Sequence, residues 1–403
     1  MSELPVQTWG LWEREEAPEV PAAPTPNAEW IFPAERTRQG GMARVYYAQG
    51  NDRLTKPVIL SDGFNSGPSN MDEFWDGLEN KDYAFATELS RRGYDLILLG
   101  YLERSASILD NAKVAQECIQ RAIAEQDGNV PLTVGGFSMG GLITRYTLAK
   151  MESENIDHRT ALYFSYDSPH RGAWIPVSLQ ALAHFMTGIP ALSKQINSPA
   201  SRQLLWRHIS TVDDTPQEDE LRTEFREALG KVGEWPMRPR KIGVANGDGT
   251  GAGNDVPPGQ KALECTQGVF KPTTLMTQSP DNRVVLAHLK GLLQEKEVRV
   301  RGLPEADGAP GGMLESFGIA ADNLTKPLLG MKAKAYYDSI CFVPTISAVA
   351  ARDISQETLY EDVSAMAEGT SDLDEFKCSS TNTMHSQMTE ELGGWILDRL
   401  PEK

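Results

Sequence analysis

Only four cysteines occur in 403 residues, no long apolar run is present, and positive charge is in short supply. Each shortage removes a class of explanation. Cys118, Cys265, Cys341 and Cys378 are widely scattered, without the close pairs that zinc or iron–sulfur sites need; no metal is expected, and the serine chemistry read below calls for no organic cofactor. Cys118 falls in a helical pattern and is expected to be buried, and a disulfide among the other three stays open. No stretch approaches the ~18 consecutive apolar residues of a membrane span, so integral membrane association is not expected. The first residues, Met1-Ser2-Glu3-Leu4-Pro5, lack the basic-then-apolar order of a secretion leader. A cytoplasmic location is therefore expected, with a processed, secreted form as the alternative. The formal net charge of −17 repels phosphate backbones and anionic headgroups and argues against nucleic acid as a partner. Small neutral or apolar molecules remain as substrates, and oligomeric state has no signature.

What is present is an ordinary globular balance, 40% hydrophobic and 24% charged. Residues 1–42 carry five prolines in the first 26 positions and read as an extended arm, pinned by Trp9, Trp12 and Trp30. From residue 43 a first core segment runs to 175. Short apolar strands at 43–47, 58–60, 96–99, 131–134 and 161–164 alternate with helical patterns. The first pattern runs from Asn70, a capping-box start, through Phe74, Trp75, Leu78, Phe85 and Leu89; the others span 106–125 and 142–151. Continuous apolar strands separated by amphipathic helices predict an α/β fold, a mostly parallel doubly wound sheet with ligands at the carboxyl ends of its strands. Residues 176–237 read as a helical insertion, with helices at 177–186, 200–208 and 213–227. A core strand returns at 241–245 within a short core piece at 238–250. Residues 251–335 read as a second insertion of antiparallel character, with strands at 273–276, 283–286 and 298–300. Residues 336–403 return to the core and end in a helix over 390–400.

The stretch Gly136-Phe137-Ser138-Met139-Gly140 isolates one serine between glycines where a strand meets a helix. Glycines there cost backbone entropy, so the turn must need them. The Gly-x-Ser-x-Gly elbow supplies the reason: the serine stands on a strained turn, and side chains two residues away on either side would collide with the neighbouring strand and helix. Two elements upstream, Val58-Ile59-Leu60-Ser61-Asp62-Gly63-Phe64-Asn65 is a strand followed by a glycine-containing loop. An oxyanion hole draws N–H groups from such a loop and from the residue after the nucleophile, which makes Phe64 and Met139 the donors.

On these motifs, and on Asp167-Ser168-Pro169-His170-Arg171-Gly172, the chain resembles the α/β-hydrolase superfamily, its lipase and esterase branch. The likeness spans 57–175 well and the last 65 residues loosely. One departure is Asp62-Gly63, where those enzymes usually carry His-Gly. An acid beside an oxyanion site opposes negative charge, so Asp62 is expected to turn onto local N–H groups. The resemblance implies the order Ser, acid, His. Among six histidines, His385 stands in a loop just before the final helix, where the family places its base. His158 follows a helix, His184, His208 and His288 lie in the insertions, and His170 takes a structural role by resemblance. Three acids compete. Asp338, before Ser339-Ile340-Cys341-Phe342-Val343-Pro344, resembles a lipase acid segment and comes first. Asp248, directly after the 241–245 strand, comes second, although Asn246-Gly247-Asp248-Gly249 is also a turn sequence. Asp167, ending the preceding strand, comes third.

The expectation is thus a serine hydrolase cleaving carboxylic esters, with a lid-like helical insertion whose Val177, Leu179, Leu182, Phe185 and Met186 either line an apolar acyl pocket or pack as core. The alternatives are a thioesterase, acyltransferase or cyclising enzyme using the same triad, and a non-catalytic protein of this fold that binds a small molecule.

Overall fold

The computed structural model describes residues 21–401 apart from 38, 80, 81, 188, 189, 282, 327 and 329. The expected anchors Trp9 and Trp12 lie outside the described residues. Fifteen strands are described: β1 Ala28–Phe32, β2 Gly41–Tyr46, β3 Pro57–Ser61, β4 Asp95–Tyr101, β5 Leu132–Phe137, β6 Thr160–Tyr166, β7 Arg240–Asp248, β8 Lys261–Gln267, β9 Thr274–Met276, β10 Ala287–Lys290, β11 Glu295–Val298, β12 Gly311–Leu314, β13 Lys332–Ala335, β14 Ile340–Pro344 and β15 Glu375–Ser379. The helices are α1 Ala34–Thr37, α2 Met71–Leu78, α3 Phe85–Arg91, α4 Ile108–Glu125, α5 Met139–Ser153, α6 Val177–Phe185, α7 Pro190–Ile196, α8 Pro199–Leu204, α9 Glu220–Lys231, α10 Ser316–Leu324, α11 Thr345–Ala348 and α12 Glu390–Leu397.

Eight strands form the central sheet in the order β1-β2-β4-β3-β5-β6-β7-β15. β1 and β2 run antiparallel, and every pair from β4 to β15 is parallel. This is the α/β-hydrolase arrangement. β3, β4 and β5 are buried along their whole length, as strands covered on both faces must be. One face packs α4 and α5 through Val114, Cys118, Ile119, Leu142 and Leu148; the other packs α2, α3 and α12 through Phe74, Leu89, Leu392 and Ile396. Trp30 of β1 is buried beneath the Arg121 guanidinium, 5.0 Å from the ring centre, which ties the strand to α4.

Both insertions fold against each other. Residues Val177, Leu179, Leu182, Phe185 and Met186 of the first are buried in the main apolar core, so this stripe packs rather than lining an open pocket. In the second, β8 to β11 and β13 build an antiparallel sheet in the order β11-β10-β9-β8-β13, and β12 pairs with β14 as a separate ribbon. Ser178 of α6 donates to Met276 O of β9. The buried Asp307 carboxylate takes Trp174 Nε1–H at 2.6 Å and Gln278 N–H at 2.7 Å. Burial pushes its pKa up to about 6, against the pull of those two donors.

Several expected elements differ. The stretch from Asn70 to Leu89 is two helices, α2 and α3, with Asn70 capping the first through N–H groups of Asp72 and Glu73. The helix expected over 213–227 begins only at Glu220, since Pro216 has no N–H to give and Asp219 caps Leu221 N–H. The strand expected over 283–286 is shifted to β10, because Asp281 closes a turn onto Arg283 N–H. The strand expected over 298–300 is likewise displaced, to β11. The last sheet strand, β15, carried no expected strand. All four cysteines are free thiols.

One buried acid pins the amino end of β4. Asp95, at the start of β4 and fully buried, accepts from the N–H groups of Ala48, Thr55 and Lys56 and from Asn51 Nδ2. Removing it leaves three backbone donors unpartnered. Asp95→Ala is therefore expected to cost ~2–5 kcal/mol in urea unfolding. A loss below ~0.5 kcal/mol would contradict this reading.

Candidate active site

β5 delivers Phe137 to the sheet's carboxyl end, and α5 begins at Met139. Between them Ser138 adopts φ 51° and ψ −122°, a backbone that L-residues hold only under constraint. The glycines are required by crowding. A Cβ on Gly136 would overlap the Gly140 carbonyl carbon, and one on Gly140 would overlap Ser61 O of β3. The elbow is thus wedged against the strand that leads to Asp62, Gly63 and Phe64. The hydroxyl-bearing residue is held in place and 6% exposed.

β6, beside β5, ends in Tyr166, whose carbonyl accepts Ser138 N–H at 2.9 Å. The next residue, Asp167, is fully buried and also left-handed, with φ 47°. Its Oδ1 accepts Asn246 N–H from β7 at 3.0 Å, and its Oδ2 meets His385 Nδ1 at 2.6 Å. Gly312 of β12 leaves space for this carboxylate; any Cβ there would overlap Oδ2. His385 stands in the loop between β15 and α12. That loop is fixed by Thr383 N–H to Asn246 O, by Met313 N–H to Thr383 O, and by His385 N–H to Met313 O. Asn382 Oδ1 accepts N–H groups from Asp248 and Gly311, so one side chain joins the β7 end to β12. The Phe342 ring meets the imidazole edge-on at 4.8 Å. The other imidazole nitrogen, Nε2, lies 3.4 Å from Ser386 Oγ, a long contact that leaves it open to a better partner.

The carboxylate that meets His385 is therefore Asp167, third among the three acids weighed from the sequence. Asp338 is exposed ahead of β14 and lies against Gly318 of α10. The segment that followed it in the sequence argument is a buried strand, and Phe342 rather than Asp338 reaches the imidazole. Asp248 closes a turn by accepting Thr250 N–H and Oγ1–H, as its turn sequence suggested. The other histidines are engaged elsewhere. His158 bonds Glu152, His184 bonds Ile209 O and His288 bonds Glu295. His208 contacts Asp219 through Nδ1 and Asn197 through Nε2, so neither nitrogen is left for proton transfer. His170 is buried between Ser165 Oγ and the Trp235 ring, and burial together with Arg145 and Arg171 drives its pKa well below the ordinary imidazole value.

Asp62 follows the course expected of it. Its Oδ1 takes Gly63 N–H at 2.7 Å, and Oδ2 lies 3.6 Å from Arg104 Nη1. Burial raises its pKa, and the Arg104 charge pulls it back. Arg104 was not singled out from the sequence; its signal is spatial, a cation beside the one acid in the elbow-facing loop. No set of three or more metal-ligating side chains is grouped among the described residues, and no helix there is long and apolar enough to cross a membrane.

No family model and no curated protein matches the chain. Among solved structures it is similar to the lipase BlEst2 of Bacillus licheniformis in its mature form, at 12% identity and TM-score 0.35 over 55% of this chain and 73% of that one. It is also similar to Est1E from Butyrivibrio proteoclasticus, at 10% identity and TM-score 0.31 over 54% and 77%. A bacterial heroin esterase gives 12% identity and TM-score 0.34 over 54% and 65%. Likenesses this remote carry no functional weight, and the fold assignment stands on strand order.

The Asp62–Arg104 pair generates a pH test. In Arg104→Met the buried Asp62 loses its counter-charge and its pKa rises further above the unfolded value. The protonated form is then favoured by folding, so stability is retained at low pH and lost as pH rises through the folded pKa. The melting temperature of Arg104→Met relative to the parent is expected to fall as pH rises above the ordinary carboxylate range, and Asp62→Asn in the same chain to flatten that slope. An Arg104→Met deficit independent of pH would rule the pairing out.

Proposed function

We propose that this chain is a serine hydrolase of carboxylic esters in which Ser138 is the nucleophile, His385 the base and Asp167 the acid. The observation that carries the reading is the buried Asp167–His385 bond, formed at the end of the strand whose Tyr166 O accepts Ser138 N–H from the strained elbow. In this reading Ser138 Oγ attacks the acyl carbon while His385 Nε2 takes its proton. Asp167 holds Nδ1–H, which fixes the tautomer, and its charge stabilises the imidazolium that forms. The N–H groups of Met139 and Phe64 take the developing oxyanion, supported by the elbow's tight contact with the β3 end. His385 returns the proton to the leaving alcohol, and a water activated by the same nitrogen then releases the acid. The Asp62 carboxylate is turned onto Gly63 N–H and Arg104, which keeps a second negative charge off the oxyanion.

Fluorophosphonate treatment is expected to add one adduct, mapped by peptide mass to Ser138, and Ser138→Ala to remove both the adduct and ester turnover. On p-nitrophenyl esters, Ser138→Ala and His385→Ala are each expected to lose more than ~10⁴-fold in kcat, and the double variant little more, as in a cooperating unit. Asp167→Asn is expected to lose ~10²–10⁴-fold, whereas Asp338→Asn and Asp248→Asn stay within about threefold at unchanged melting temperature. A large kcat loss confined to Asp338→Asn, or turnover by Ser138→Ala near that of the parent, would refute the assignment.

A further inference from the structure

Large apolar side chains grouped on one exposed surface mark a place that something covers. The three most exposed large hydrophobic residues among the described residues are Leu328, Leu293 and Leu292, at 101, 100 and 81%. All three stand at one end of the β11-β10-β9-β8-β13 sheet. Leu292 and Leu293 form the tip of the β10–β11 hairpin. Leu328 tops the loop before β13, closed by backbone bonds between Lys326 and Met331. Between them lies the β8–β9 turn, with Val269 44% exposed.

The register makes these loops neighbours. Gln267, ending β8, faces Lys332, opening β13, and Thr274, opening β9, faces His288 near the end of β10. The loops are also joined directly. Gly268 lies against Met331, while Thr273 Oγ1 accepts Lys290 N–H and donates to Lys290 O. Gly291 at the hairpin root lies against the Phe185 ring of α6, which braces the tip from below.

Charge identifies the occupant. The chain as a whole carries −17, yet residues 261–335 hold ten Lys and Arg against eight Asp and Glu. Lys271, Lys326 and Lys332 stand at the roots of the three tips, while Lys290 at the hairpin root is paired with Glu295. Separate convex tips suit a fluid surface that deforms around them, whereas a protein partner would need a matching hollow for each. We propose that this end of the second insertion docks on an anionic lipid bilayer surface, the leucines entering the acyl boundary and the lysines meeting the headgroups. The acidic remainder of the chain is held away by the same field, which orients the docked molecule. The proposal is independent of the hydrolase chemistry.

Cosedimentation with vesicles tests it. The full chain is expected to pellet with phosphatidylcholine–phosphatidylserine vesicles, and less with phosphatidylcholine alone or in high salt. Leu292→Asp with Leu293→Asp is expected to lower partition about tenfold or more, and Leu328→Asp to lower it further. Lys271→Glu with Lys332→Glu should reduce binding only to the anionic vesicles. These sites are solvent-exposed, so melting temperatures should not change. Failure of the parent to pellet, or equal pelleting of the aspartate variants, overturns the proposal. So does a concentration-dependent dimer in sedimentation velocity that the leucine variants abolish, which would make a second copy the occupant.

Discussion

A buried carboxylate needs enough donors to hold its charge, and Asp167 organises the carboxyl end of this sheet around that need. Its two oxygens are served by Asn246 N–H and by the His385 ring. Serving them brings together parts of the chain that lie far apart in sequence: the end of β6, the end of β7, the β12 ribbon and the loop after β15. Gly312 yields the space and Met313 O holds the histidine's backbone. The second insertion therefore completes the site as well as decorating it, since β12 enters the centre only after the chain has left and re-entered the core. An uncompensated charge at this depth would cost several kcal/mol, so the arrangement is cooperative: losing one partner strands the others.

The elbow meets a complementary constraint made of backbone rather than charge. Gly136, Gly140 and Ser61 stand so close that no side chain fits between strand, turn and helix. The left-handed Ser138 is held by surroundings that determine its position more than once. The same contact fixes where the loop from Asp62 to Phe64 runs, and Arg104 answers the charge that this loop carries. Ser138, the loop that carries Phe64 and the charge-paired Asp62 thus share one mechanical support.

The elbow and the histidine were legible in the sequence because both are local. Gly-x-Ser-x-Gly reports a steric requirement within five residues, and His385 announces itself by preceding an amphipathic helix. The parallel core was legible because β3, β4 and β5 are short apolar runs. The acid was not. What distinguishes Asp167 from Asp338 and Asp248 is a hydrogen bond across 218 positions, whereas each rival carries a plausible local motif. β15, Glu-Phe-Lys-Cys-Ser, was illegible for a related reason: as an edge strand with its first four residues only partly buried, it lacks the apolar run that marks a central one. The antiparallel insertion was legible as a class but not in register, because its short strands take their limits from turns such as the one Asp281 closes.

The most direct test of the central pairing is the proton shared by His385 and Asp167, observed by proton NMR of the intact chain in water. A proton in a short, buried imidazole–carboxylate bond resonates far downfield of ordinary amides. The account predicts one such signal in the parent and in Asp338→Asn, and its loss in Asp167→Asn and in His385→Gln. A downfield signal that survives Asp167→Asn but disappears in Asp338→Asn would contradict it.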